Sequence, residues 1–224
     1  MPPTPADPAT RKIPTHEVTY GKLRHMVLTG GLAPGQAVTI QGLIRDLDAG
    51  MTPVREAIRR LTAEGALQLH GNRRVSVPRL TAGLLDQIAF ARLTIEPHIA
   101  ALAAPRLTPA IVDRLEAIDS AINGAMRERD IPAYLTNNHE FHFTLYDLSG
   151  AQVLVDMAQS LWLRFGPALR VVNALYAAGR LPDRHSEALV AMRAGDGVAV
   201  AEAVRGDIAQ GIDLVRQALL SGEI

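Results

Sequence analysis

Several polar residues of this 224-residue chain fall where helical periodicity otherwise places apolar ones. Between 132 and 148, Leu135, Asn138, His142 and Leu145 recur at three- and four-residue steps, so Asn138 and His142 overlie one spot of a helix. In the stretch 179–194, His185 aligns with Leu189 and Met192. In the stretch 197–220, Asp207 aligns with Val200, Val204, Gly211 and Leu214. Three helices therefore each aim a potential ligand inward. Two imidazoles and a carboxylate suit Zn²⁺, Ni²⁺ or Mn²⁺, with positions left open for water or a small ligand. The other reading of the same residues is a hydrogen-bonded polar core. Arg92 poses a related problem, since it shares a stripe with Leu85, Ile88, Ile95 and Ile99. A buried arginine needs an anion. Glu96, one turn on, is the internal partner; a bound carboxylate is the external one.

A second chemistry is concentrated in "MTPVREAIRRL", residues 51–61, which carries Arg55, Arg59 and Arg60 beside Val54, Ala57, Ile58 and Leu61. Arg55 and Arg59 share one face at i, i+4. Arginine binds guanine bidentately or neutralises phosphate, and the N-terminal half of a recognition helix meets base edges. Three arginines on a lone helix would be only a solvated face. Here the neighbouring elements decide the matter. Thr52, Arg55, Glu56 and Arg59, with Arg73 and Arg74 further on, are the expected DNA contacts.

Those elements follow from local signals. Residues 18–29 read as a helix, "GGLAPGQ" (30–36) as a turn, and Thr39 as the cap of a second helix reaching about Leu47. After "DAG" (48–50), Thr52 is the expected N-cap and Pro53 the first residue of a third helix that stops at Gly65. "ALQLHGNRRVSVP" (66–78) holds two alternating stretches around His70-Gly71-Asn72, a hairpin signal that puts Arg73 and Arg74 at its tip. Helix, helix, turn, helix and hairpin make a winged helix-turn-helix. Beyond Pro78 six helices are expected, near 82–103, 108–129, 132–148, 152–174, 179–194 and 197–220, with a kink at Gly166-Pro167. The fold class is thus mainly α: an N-terminal winged helix-turn-helix domain (18–79) and a C-terminal six-helix antiparallel bundle (80–224) for effector binding and dimerisation, behind a Pro-rich flexible tail (1–17).

Charge agrees with this division. Residues 1–80 hold 11 Lys and Arg against 6 Asp and Glu, whereas the remainder holds 12 against 17. A basic front and an acidic back place the polyanion at the front only. The chain has no cysteine, no apolar run near the ~18 residues a membrane span needs, and no secretory leader pattern, which together suit a cytoplasmic protein.

The segment "GGLAPGQAVTIQGLIRDLDAGMTPVREAIRRLTAEGAL" followed by a hairpin resembles GntR-type transcription regulators, and "TPVREAIRRLTAEG" resembles their FadR-type branch, whose second part is an all-helical (FCD) ligand domain. The resemblance covers about residues 18–220. It implies a metal held by one Asp and three His and a carboxylate effector held by the metal and an arginine. "NHEFH" matches the family's D-x-x-x-H helix with Asn138 in place of Asp, His185 matches the next ligand, and Asp207 stands where the last His is expected. "RLTIE" matches the R-x-x-x-E motif and puts Arg92 at the effector. Gly50 and Met51 replace the usual Ser-Arg before Thr-Pro, and Arg74 stands where the wing usually carries glycine. The function expected is that of a ligand-responsive DNA-binding regulator, a repressor released by a small organic acid and acting as a homodimer on an operator. The alternative is a DNA-binding dimer whose bundle is structural only, without metal or effector. An enzyme is not expected, since no nucleophile–base pair or phosphate loop is present and the basic wing would be unexplained.

Overall fold

The computed structural model describes residues 14–70, 74–171 and 183–223. Arg73 and the Gly71-Asn72 turn lie outside the described residues, as does most of the tail expected at 1–17.

Helix α1 (Thr15–Leu28) starts three residues earlier than the periodicity indicated and buries Leu23, Val27 and Leu28. Strand β1 (Ala37–Thr39) leads into α2 (Ile40–Asp46), where the Thr39 side chain accepts from the Gly42 N–H as expected of a cap. Helix α3 (Met51–Ala63) differs at its start: Gly50 is the N-cap, not Thr52, and no side chain caps it. Pro53 is therefore the third helical residue. It still lies in the first turn, where the missing N–H has no helical acceptor to lose. Gly65, at φ +73°, ends the helix in the left-handed region that glycine enters without penalty.

Strands β2 (Gln68–His70) and β3 (Arg74–Ser76) form the expected hairpin with Leu69 opposite Val75. The sheet also has a strand the sequence did not announce: β1 pairs antiparallel with the other edge of β3, giving the order β1-β3-β2. Three residues of "AVT" are too few to show alternation, and the pairing depends on contacts with a strand about 37 positions away.

The second part is helical throughout. Helices α4 (Ala82–Ala103), α5 (Pro109–Glu128), α6 (Ile131–Tyr146), α7 (Gln152–Phe165), α8 (Arg184–Ala194) and α9 (Gly197–Ser221) are the six found among the described residues. Thr81, Thr108, Asp130, Asp183 and Asp196 cap α4, α5, α6, α8 and α9 through their side chains. The Asp183 cap moves the start of α8 from the expected 179 to 184. Gly166-Pro167 ends the α-helical part of α7, and the chain continues as a 3₁₀ segment to Val171, because Pro167 has no N–H for the turn before it. Pro97 sits inside α4 without ending it. It leaves the Leu93 carbonyl without a helical donor, and Arg205 of α9 supplies one at 2.7 Å.

One continuous apolar core joins the two parts. Across their boundary Arg24 donates to Gln159 at 3.2 Å, and Arg164 Nε donates to the Glu64 carbonyl at 3.0 Å.

Candidate functional site

Helices α6, α8 and α9 bring His142, His185 and Asp207 together, with one ligand atom from each lying within 4.8 Å of the others. His142 Nε2 is 3.1 Å from Asp207 Oδ2, and His185 Nε2 is 3.6 Å from Asp207 Oδ1. Metal bonds of ~2.0–2.1 Å at tetrahedral angles separate donors by about 3.3 Å, so these spacings fit a first-row divalent ion with small adjustment. Both Nε2 atoms are buried and lack a hydrogen-bond partner among the described residues. The His142–Asp207 approach is close but not aligned as a hydrogen bond.

The other nitrogen of each ring explains the aim. Tyr146 donates its O–H to Glu96 Oε2 at 2.8 Å, so toward His142 its oxygen can only accept. His142 Nδ1, 3.1 Å away, therefore carries the proton, and the lone pair is on Nε2. His185 Nδ1 lies 3.3 Å from Asp119 Oδ1, which holds its proton in the same way. A histidine anchored through one nitrogen to a carboxylate or hydroxyl presents the other to a metal. Packing fixes the rings as well: Phe141 stacks on His185 at 4.3 Å, and His142 and His185 meet edge-on at 5.5 Å. The donor set and the two orphaned nitrogens fit a divalent cation.

The electrostatics agree. Burial pushes the His142 pKa down, more than Asp207 pulls it up. Burial also disfavours charge on His185, but Asp207 and Asp119 outweigh it and raise that pKa. Burial would raise Asp207, yet His185, His142 and Arg92 hold it at about 2.

Asn138 lines the cavity one turn before His142 and is buried. His139 takes another face, stacked on Phe143 at 4.3 Å, as its position in the helix suggested. Arg92 is 2% exposed and finds its internal partner: both Nε and Nη2 donate to Glu96. Its guanidinium also lies over Trp162 and Phe165, and it lines the same cavity as Asp207 and Asn138. Glu96 is the hub, accepting also from Trp162 Nε1 at 2.9 Å. The sequence reading missed Asp119 and Tyr146. Their signals were present: Asp119 shares the stripe of Leu115 and Ile122, and Tyr146 is one turn beyond His142.

The basic surface is built on α3. Val54, Ala57, Ile58 and Leu61 are buried, which turns Thr52, Arg55 and Arg59 to the outside. Thr52, relieved of capping, is exposed. Arg59 is paired with Glu56 at 2.6 Å on the same face, while Arg55 has no ion pair among the described residues. Arg60 turns away: it pairs with Glu17 at 2.8 Å and covers the Tyr20 ring at 3.8 Å, tying α3 to α1. Arg74 is exposed at the start of β3.

Residues 15–77 match the bacterial regulatory proteins of the gntR family, and residues 87–210 match the FCD domain. The HTH-type transcriptional regulator McbR of Escherichia coli (strain K12) is 31% identical over 147 residues, 66% of either chain. An HTH-type transcriptional regulator from an unstable DNA locus of Streptomyces ambofaciens is 31% identical over 58% of this chain and 55% of its own. The chain thus spans between about half and two thirds of the length of these two relatives. The solved structure of E. coli McbR/YncC superposes with a TM-score of 0.81 at 25% identity, covering 92% of this chain and 98% of that one. A GntR transcriptional regulator from Rhodococcus sp. superposes with a TM-score of 0.69 at 20% identity, covering 91% and 98%, and speaks for the fold alone.

Proposed function

The chain belongs to the gntR family of bacterial regulatory proteins, in the branch that carries an FCD domain, and on that premise we propose that it is a transcription regulator whose grip on DNA responds to a small carboxylate. The observation that carries this reading is the pair of orphaned imidazole nitrogens converging on Asp207, in a chain that also carries a helix whose outward arginines suit a DNA groove. The relatives are regulators, and no enzymatic role is assigned.

Thr52, Arg55, Glu56 and Arg59 contact the operator in this reading, joined by Arg73 and Arg74 of the wing. One helix-turn-helix covers one half-site, so the acting species is a homodimer on a pseudo-palindrome. Such a protein works in the cytoplasm, and no helix among the described residues is long and apolar enough to cross a membrane. His142, His185 and Asp207 hold Zn²⁺, Ni²⁺ or Mn²⁺, with Asn138 beside them. The bound metal supplies a fixed positive charge with open positions for a carboxylate oxygen. Arg92, already neutralised by Glu96, adds donors and a rigid wall, not a free charge. The acid then selects one arrangement of the two DNA-binding domains over another, and repression is lifted if that arrangement fits the operator poorly.

The test is operator affinity of metal-loaded protein across a panel of small organic acids. A panel member that binds the protein yet changes affinity for no DNA would sink the regulatory reading. A protein that binds DNA but neither metal nor acid would favour a purely structural bundle.

A further inference from the structure

The cavity beside the metal triad is built along helices whose residues change character in step. On α6 Asn138 and Tyr134 line it, with the ligand His142 one turn beyond Asn138; on α9 Asp207, Gly211 and Leu214 line it; on α5 Asp119, Ile122 and Met126 do. Each set spans about two turns, or roughly 10 Å. Helices α5 and α6 are joined by only two residues and pack side by side, so they run antiparallel. Asp119 and His142 are thus level at one end, and Met126 and Tyr134 at the other. Phe165 and Leu169, four residues apart, add to the apolar wall, and Leu169 lies opposite Gly211.

We propose that the ligand of this cavity is a monocarboxylate with a short apolar tail, its acid group at the metal end and its tail against Met126, Leu169 and Leu214. This rests on the reading that a carboxylate binds at the metal centre. A dicarboxylate is disfavoured by the charge inventory. Of the polar groups along the walls, Asn123 donates to Asp119 at 3.1 Å. Arg184 donates through Nη1 to Glu187 at 2.6 Å and keeps a buried Nε, unpartnered among the described residues, beside Gly206, at the metal end and not at the tail end. A second carboxylate among Met126, Leu169 and Leu214 would be desolvated without a cation to meet it. The cavity has room for a short chain: about 50 Å³ is reachable by the centre of a water molecule. That is room for roughly four waters, and displacing them accommodates an acid of about four to six carbons.

Gly211 tests the geometry. A Cβ there would meet Leu169 Cδ2 at 3.4 Å, an ordinary contact, so Gly211→Ala folds and takes space from the tail alone. Titration calorimetry of the zinc-loaded full chain with acetate, butyrate, pentanoate and glutarate reads the preference. Each buried methylene strengthens binding about fourfold, so pentanoate binds roughly 50-fold tighter than acetate and clearly tighter than glutarate. In Gly211→Ala and in Met126→Gln the gain with tail length falls to less than half while acetate binding stays unchanged. If acids bind but glutarate equals pentanoate, or the tail gain survives both variants, the tail assignment alone is overturned. If none of these acids binds, it falls together with the carboxylate reading.

Discussion

His142 Nε2 faces Asp207 Oδ2 across 3.1 Å while Tyr146 holds the ring's proton on the opposite nitrogen. A lone pair pointed at a carboxylate is repulsive unless a cation or a proton stands between them. The expected consequence is that Tyr146 sets metal affinity although it touches no metal. Tyr146→Phe removes the acceptor for the His142 N–H and weakens zinc binding by 10- to 100-fold, the range usual for such supporting groups. Competition against a chelator of known affinity measures it; an unchanged affinity would mean that the tyrosine only fills space.

The raised pKa of His185 gives a pH dependence with a definite sign. Its folded value lies above the unfolded ~6.5 because Asp207 and Asp119 outweigh burial. In the metal-free protein its contribution to stability is complete below pH ~6.5 and is lost as pH rises through the folded value. The difference in melting temperature between wild type and His185→Gln should therefore shrink on going from pH 6 to pH 9. Metal binding runs the other way, since the ligand is the neutral ring: affinity falls about tenfold per pH unit below the folded pKa. A metal affinity flat across this range would remove His185 from the ligand set.

His139 carries an opposite sign and lies off the triad. Burial depresses its pKa to about 3, so it contributes nothing adverse above ~6.5 and destabilises the fold as pH falls from there toward 3. The effect is on the order of a few kcal/mol at most. His139→Gln should unfold at a lower pH than wild type in an acid titration followed by circular dichroism.

Two arginines of one helix should behave differently. Arg55→Ala weakens DNA binding and lowers the slope of log affinity against log salt by about 1. Arg60→Ala leaves that slope alone and costs stability, because its guanidinium is engaged with Glu17 and Tyr20. Equal slopes for the two variants would contradict the orientation of α3.

The boundary between the two parts offers a mechanical link. Trp162 and Phe165 line the cavity, and Arg164 on the same helix holds the Glu64 carbonyl at the end of α3. Arg164→Ala should leave acid binding intact while reducing the effect of the acid on DNA affinity. Retention of the full effect would place the coupling elsewhere.

Much of this was readable from residue order. The spacing of Asn138 and His142, of His185 with Leu189, and of Asp207 with Val204 placed inward polar groups correctly, because helical periodicity is local. The pairing of Arg92 with Glu96 was readable for the same reason, at four residues. What could not be read depends on contacts between distant segments. The Asp119–His185 pair joins α5 to α8, β1 joins β3 across the length of the domain, and the direction of Arg60 is set by Tyr20. The start of α3 was misread by two residues: Thr52 and Gly50 are both acceptable caps, and only the backbone distinguishes them.

In this mechanism an acid acting at the metal cavity changes DNA binding. Fluorescence anisotropy with the protein's own operator, at fixed salt, measures this with pentanoate added to zinc-loaded and to chelator-treated protein. The prediction is a change in operator affinity of at least about fivefold with zinc, the lower end of ordinary coupling, and none without it. Identical affinity in all four conditions, with pentanoate shown to be bound, would contradict it.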